Sequence, residues 1–316
     1  MEFFKGSTQI RFMDRRVHFA ILSAILVLGS LVALFTKGLN LGIDFTGGTL
    51  IEVRYQQAAS VSQVREALAR NGFGDAVVQT FGSPQDVLIR LPGGSQASST
   101  ALSARVSAAL QQTPGGQGLE IRRVEFVGPH VGQELATQGL LALLLVILGI
   151  LIYVSIRFEW RFAVGSIVAL LHDPILILGF FSVSGMEFSV TTLAALLAVM
   201  GYSINDTVVI FDRIREYLVQ QRNKSVVEVL DMSVNSTLSR TIMTSLTTLL
   251  VVLALLFFGG PVIQPFAVTL VIGIIVGTYS SIFIASPVTL WLGLKREHVL
   301  KTKLIRAGDR EDGARI

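Results

Sequence analysis

The stretch LAALLAVMGYSINDTVVIFDR, residues 193–213, decides how the chain is read. It opens as a membrane span. Asn205 and Asp206 then interrupt the apolar run before Val208, Val209, Ile210 and Phe211 resume it. A carboxylate at mid-helix costs roughly 2.5–3.5 kcal/mol to place in a bilayer, so an acid at this depth points to function and needs a partner. The alternative is structural: Asp206 lies about two turns from the charges at Asp212 and Arg213 and simply reaches water or a basic side chain there.

Composition fixes the solvent around this stretch. The 316 residues are 51% hydrophobic and 15% charged, with a mean hydropathy of +0.64. That is too apolar for a water-soluble globule, and it predicts a polytopic α-helical membrane protein. The net charge of +4 arises partly from basic residues at the ends of apolar runs, so it reports topology and argues for no nucleic-acid partner. The absence of cysteine removes disulfides and thiol chemistry. His18, His130, His172 and His298 form no i, i+4 ligand pair, and neither a metal nor another cofactor is expected.

Six transmembrane helices are predicted. The cytoplasmic segment 1–16 carries Lys5, Arg11, Arg15 and Arg16 and precedes the first span at 17–36, read as uncleaved because no small-x-small site follows it. The remaining spans fall within 136–292, at about 138–156, 162–183, 189–211, 241–258 and 265–292, followed by a tail at 293–316. Arg157 and Arg161, the basic residues after the fourth span and those after the sixth lie on one side, which places both termini in the cytoplasm. Between spans four and five, Val226, Leu230, Val234 and Leu238 predict a separate amphipathic helix at about 225–239, lying on the membrane or a partner.

Residues 37–135, between spans one and two, therefore form a periplasmic domain. Strands are predicted at 49–55, 77–81, 87–91 and 119–127, and helices at 61–71 and 97–111. The order βαββαβ is that of an α+β ferredoxin-like domain. No phosphate-binding or catalytic motif occurs in it.

Polar and small residues pattern the spans. Thr269, Gly273, Gly277, Ser281 and Ala285 form a ridge at i+4 spacing, and Ala194, Ala198, Gly201 and Asn205 form another. Both suit close helix packing within the chain, with a second membrane subunit as the alternative for the last span. Asp173, beside His172 and before Pro174, either bonds the backbone that the proline frees or handles protons. His172 and Asp173 diverge by about 100° and do not converge on a metal. Arg240 opens the fifth span with Thr244, Thr247 and Thr248 on its face, at a depth comparable to Asp206. An Asp206–Arg240 ion pair is expected, and a proton added to Asp206 would release the arginine. A static pair, or a lipid phosphate anchored by Arg240, is the structural alternative.

Several runs are familiar: GIDFTGG at 42–48, VEFVGPHVG at 124–132, RFEWRFA at 157–163, LHDP at 171–174, GYSINDTVVIFDRIRE at 201–216, SRT at 239–241, FGGP at 258–261 and GLKREH at 293–298. Together they resemble the SecD/SecF family of the bacterial protein-export machinery, in its separate-subunit form. The resemblance implies half of a resistance-nodulation-division architecture in the inner membrane, with SecD supplying the other six spans. It implies proton-driven movement of periplasmic domains that aids late steps of preprotein export through SecYEG, with YajC and YidC as further partners and membrane lipid around the bundle. Protons would be the coupling ion, and the chain would perform no chemical catalysis of its own. Asp206 and Arg240 fall on the family's proton-relay acid and arginine, with Asn205, Asp173, Thr244 and Thr248 as supporting polar groups. Gly42, Asp44, Phe45, Gly47 and Gly48 carry the family's glycine motif. Three other readings compete: a passive scaffold, a small-molecule exporter of the same architecture, and an intramembrane aspartyl protease using Asp173 and Asp206. The neighbouring sequences HDP and SIND do not suit the last.

Overall fold

The computed structural model describes residues 8–92, 99–297 and 299. After a short 3-10 turn the chain forms α1 (Arg16–Lys37), β1 (Asn40–Leu41), the one-turn α2 (Ile43–Thr46), β2 (Gly48–Arg54), α3 (Val61–Arg70), β3 (Val77–Phe81), β4 (Ser83–Leu91), α4 (Ser99–Leu110) and β5 (Glu120–Val127). It continues through α5 (Pro129–Arg157), α6 (Trp160–Ser184), β6 (Glu187–Phe188), α7 (Val190–Gln220), α8 (Val226–Phe258) and α9 (Gln264–Ser280). A π turn (Ser281–Ala285) then leads into α10 (Ser286–Trp291). Among the described residues, six helical segments are long and apolar enough to span a bilayer: α1, α5, α6, α7, α8, and α9 with α10 as one.

Helices α6, α7 and α9 form the buried centre, and α1, α5 and α8 surround it. Missing side chains bring the central three together. A Cβ on Gly273 would collide with the Val199 side chain, one on Gly277 would lie 3.0 Å from Ser203, and one on Gly165 would lie 2.7 Å from the Ala285 carbonyl. The last-span ridge from Thr269 to Ala285 is therefore buried within this chain. The other ridge behaves oppositely. Ala194, Ala198, Gly201 and Asn205 are exposed on α7, against the expectation of internal packing.

The predicted separate helix at 225–239 is absent as such. Ser225 and Glu228 form a capping box, and α8 then runs unbroken for 33 residues, about 50 Å, well beyond the ~30 Å hydrocarbon layer. Its Leu230, Val234 and Leu238 enter the core that holds Met13, Ile210, Phe211 and Ile214, so the apolar stripe covers this chain's own helices. The N-terminal segment seals the same region: Asp231 accepts from Met13 N at 2.9 Å and Asn235 from Ile10 N at 3.0 Å.

The extramembrane domain is a four-stranded antiparallel sheet in the order β3-β4-β2-β5, that of the split βαβ, ferredoxin-like arrangement. Its apolar face packs Ile51, Val53, Tyr55 and Ile89 against Val64 and Leu68 of α3 and Leu102 and Val106 of α4. Strand β4 begins earlier than expected because the turn narrows to Gly82 alone, at φ +76°, with Phe81 facing Ser83. Of the predicted helix at 97–111, residues 97 and 98 lie outside the described residues, and α4 occupies Ser99–Leu110.

A compact joint ties this domain to the bundle. Strand β1 pairs in parallel with β6, Asn40 opposite Glu187 and Leu41 opposite Phe188. Between β1 and β2, Gly42 donates its N–H to the Phe188 carbonyl at 3.0 Å, and a Cβ on it would stand 2.7 Å from Glu187 Oε1. Gly47, at φ +68°, lies so close to the start of α5 that a Cβ would sit 2.9 Å from Pro129 Cα. Asp44 caps α7 by accepting from Val190 N at 3.0 Å, and Phe45 stacks on Phe188.

Candidate functional site

Three helical segments converge on Asp206. Its α7 position faces the centre, where Thr241 of α8 donates to Oδ1 at 2.7 Å and Ser281, the first residue of the π turn, donates to Oδ2 at 3.0 Å. All three residues are buried. The π turn is what presents Ser281: its extra residue rotates the last span, and the Ser281 carbonyl accepts from Ser286 Oγ at 3.1 Å.

The expected Asp206–Arg240 ion pair does not form. Arg240 is exposed at the outer side of α8 and has no ion-pair partner among the described residues, acting on Asp206 through longer-range attraction only. Thr241, one residue on, is the group that α8 turns inward; neighbours on a helix diverge by about 100°, so both cannot point at one acid. Thr244 and Thr248 donate back to their own helix's carbonyls, at Arg240 and Thr244, and do not reach Asp206. Asn205 is exposed.

For Asp173, of the two roles left open by the sequence, the backbone one is not seen. Rather than bonding backbone near Pro174, its Oδ2 accepts from Ser203 at 2.5 Å and from Ser280 at 3.0 Å, and its Oδ1 contacts His172 Nδ1 at 2.9 Å. The two acids are thus held by consecutive serines, Ser280 and Ser281. Reasoning from sequence missed Ser203, Thr241, Ser280 and Ser281 as partners; their signal was a run of hydroxyls inside apolar helices at the level of the acids. Among the described residues no group of three or more His, Asp or Glu side chains is placed to hold a metal.

Comparison with known proteins bears on this arrangement. Residues 106–295 match the family model "Protein export membrane protein SecD/SecF, C-terminal", and residues 32–59 match the "SecD/SecF GG Motif". The chain belongs to the SecD/SecF family. Among SecD/SecF proteins it is 49% identical to protein translocase subunit SecF of Pseudomonas aeruginosa, over 92% of this chain and 94% of that one. It is 42% identical to the Escherichia coli O157:H7 protein of the same name, over 91% and 89%. The crystal structure of SecDF, a translocon-associated membrane protein from Thermus thermophilus, superposes with a TM-score of 0.83 at 38% identity. That match covers 92% of this chain but 39% of the SecDF chain. SecDF in a super-membrane-facing form gives 0.67 at 36% identity, over 98% and 41%.

The SecD/SecF GG motif of this chain contains Gly42, Asp44, Phe45, Gly47 and Gly48, the residues that build the joint. Next to it, Arg90 of β4 donates to Asn40 at 3.0 Å and to the Leu41 carbonyl, and it pairs with Glu187 at 3.3 Å. Burial lifts the Glu187 carboxyl above its ordinary range; Arg90 opposes the shift and Asp44 adds to it. A cleft of about 420 Å³ separates the open face of the sheet from the α6–α7 and α8–α9 connections, lined in part by Asp44, Glu52, Arg123, Glu125 and Glu187.

Proposed function

We propose that the chain is a SecF-like subunit of the Sec preprotein translocase. Acting with SecD, it uses the proton motive force to assist late steps of export, by coupling protonation of Asp206 to movement of its periplasmic domain. The observation that carries the reading is a buried carboxylate held by neutral hydroxyls at the meeting of α7, α8 and the π turn, with Arg240 open on the adjoining outer face. That face, with Asn205, Gly201, Ala198 and Ala194 on α7 and Thr244 and Thr247 on α8, is left uncovered by the described residues. Its polar and small residues suit a second six-helix half in place of lipid. SecD is that half, and an acidic residue it contributes is the counter-charge for Arg240. SecYEG, YajC, YidC and the translocating preprotein complete the assembly in the inner membrane, with both termini cytoplasmic.

Protons are the coupling ion, and no covalent chemistry is performed. One charge crossing 100 mV supplies about 2.3 kcal/mol, whereas driving a two-state element from 1:99 to 99:1 takes about 5.5 kcal/mol. Several protons, or a pH gradient added to the potential, are therefore needed per cycle. The cleft below the sheet has five charged lining residues, which fits a mechanical gap better than an exporter's drug pocket.

The test is potential-dependent export in vesicles containing SecD, SecYEG and the chain with Asp206→Asn or Arg240→Met, singly and together. Loss of the potential-dependent component with basal export retained supports the motor. Normal export by Asp206→Asn would leave a passive scaffold.

A further inference from the structure

We propose that His172 and Asp173 form a second proton-binding site in the bundle, a buried imidazole–carboxylate pair linked to Asp206 through the two consecutive serines at the π turn. Its part in export rests on the proton-coupled reading above, while its chemistry stands on the pair itself. His172 is 5% exposed and Asp173 1%. Their contact is 2.9 Å, and the second carboxylate oxygen is occupied by Ser203 and Ser280. His172 Nε2, in contrast, is buried with no hydrogen-bond partner among the described residues. Leaving a buried ring nitrogen open is costly, and such exceptions call for an explanation.

The pair supplies one. With Nδ1–H donating to Asp173, Nε2 carries the free lone pair and takes up the proton, and the imidazolium so formed is neutralised by the adjacent carboxylate. Water entering the bundle brings the proton to Nε2 as hydronium and carries it away from the same nitrogen, so only that N–H bond is made and broken. No other charged side chain is in contact with the pair among the described residues. α7 offers Ser203. α9 offers Ser280 and Tyr279, whose ring lies 6.1 Å from the imidazole and whose hydroxyl is engaged by Phe19 and Ser23 of α1. The titratable residues of α1 (Arg16, His18, Lys37) and of α5 (His130, Glu134, Tyr153, Arg157) lie toward the ends of those helices, and α10 has none.

The next acid is Asp206. Ser280 holds one carboxylate and Ser281 the other, so a change at either acid alters a hydroxyl on the same turn of backbone.

The experiment is solid-state NMR of the ¹⁵N-histidine-labelled full chain with SecD in lipid nanodiscs, titrated from pH 4 to 9. His18, His130 and His298 are replaced by Gln so that His172 alone reports. The expected result is conversion of His172 from singly to doubly protonated on acidification. The midpoint falls in Asp206→Asn, and falls less when Ser280 and Ser281 are both Ala. A ring that stays neutral throughout, or a midpoint unmoved by Asp206→Asn, overturns the proposal. Export is read in parallel: an Asp206→Asn chain that exports normally defeats the motor reading without touching the titration, so the two failures are separable.

Discussion

Thr241→Val isolates what holds Asp206 in place. Thr241 is buried and donates to Oδ1 at 2.7 Å, and valine has nearly its shape without the hydroxyl, so the change removes a donor and opens little space. A buried acceptor left without its donor costs about 1–3 kcal/mol, and a charged carboxylate belongs in the upper half of that range. Ser281 keeps its bond to the other oxygen, so the site is weakened rather than emptied. In an Asp206→Asn background the same substitution removes a neutral bond worth ~0.5–1.5 kcal/mol. The double-mutant cycle is therefore expected to show a coupling energy of about 1 kcal/mol. The assay is reversible unfolding of the four proteins in mixed micelles at pH 8, with Thr241→Ser as the conservative control that restores the hydroxyl. Losses that add to within about 0.3 kcal/mol would refute the assignment of this hydroxyl to the carboxylate, as would a serine variant no more stable than valine.

Three further outcomes concern the joint. Asp44→Ala removes the acceptor for Val190 N, and the start of α7 is expected to lose about 0.5–2 kcal/mol, read as faster proteolysis at the α6–α7 connection; an unchanged cleavage rate contradicts the capping role. Gly47→Ala forces a left-handed residue against Pro129, a cost of at least about 1–2 kcal/mol, and its thermal midpoint should drop, whereas Gly149→Ala, on open space within α5, should not lower it. Glu187 carries a raised carboxyl pKa, so the native joint binds its proton more tightly than the unfolded chain does. Its contribution is full at low pH and declines as pH climbs from the ordinary carboxylate value through the raised one. Across that window the wild-type midpoint should fall relative to Glu187→Gln, and a constant gap between the two proteins rules the effect out.

The parts of the fold that were legible in the sequence are those set by one local rule. Long apolar runs bounded by basic residues gave the six spans, and alternation with turn residues gave the βαββαβ order. The merging of 225–239 into α8 was not legible, because the stripe at Val226, Leu230, Val234 and Leu238 is the same whether its cover is lipid or Phe12, Met13 and Ile214. For the same reason the two small-residue ridges looked alike, although one packs internally and one is open. At the site, Asp206 was conspicuous because charge is rare in a span. Its partners were not, since Thr241 and Ser281 are ordinary helix residues until a π turn and a 100° rotation past Arg240 aim them. Arg240 drew the ion-pair expectation because sequence gives depth in the membrane but not direction around a helix.

How a proton on Asp206 could reach the outer domain follows from α7 itself. Val190, at the start of that helix, is held by Asp44 of the GG motif, and Asp206 lies 16 residues on, about 24 Å along the same rod. No loop intervenes. At the outer end, Gly42 is hydrogen-bonded to Phe188, and Gly47 is pressed against the first turn of α5 with no space for a side chain. Strand β2 starts at Gly48, directly after these contacts, and is the central strand that carries both β4 and β5. On the proposed motor mechanism, a rotation or shift of α7 by about an ångström at Asp206 would be delivered to the root of the sheet, because a packed helix moves as a body. Glycine at 42 and 47 removes the slack that side chains would introduce at that root. Beside the charged cleft on the other side of the sheet, Gly82 of the β3–β4 turn packs on Pro261, where a Cβ would collide with the proline ring, so the sheet also touches the α8–α9 connection.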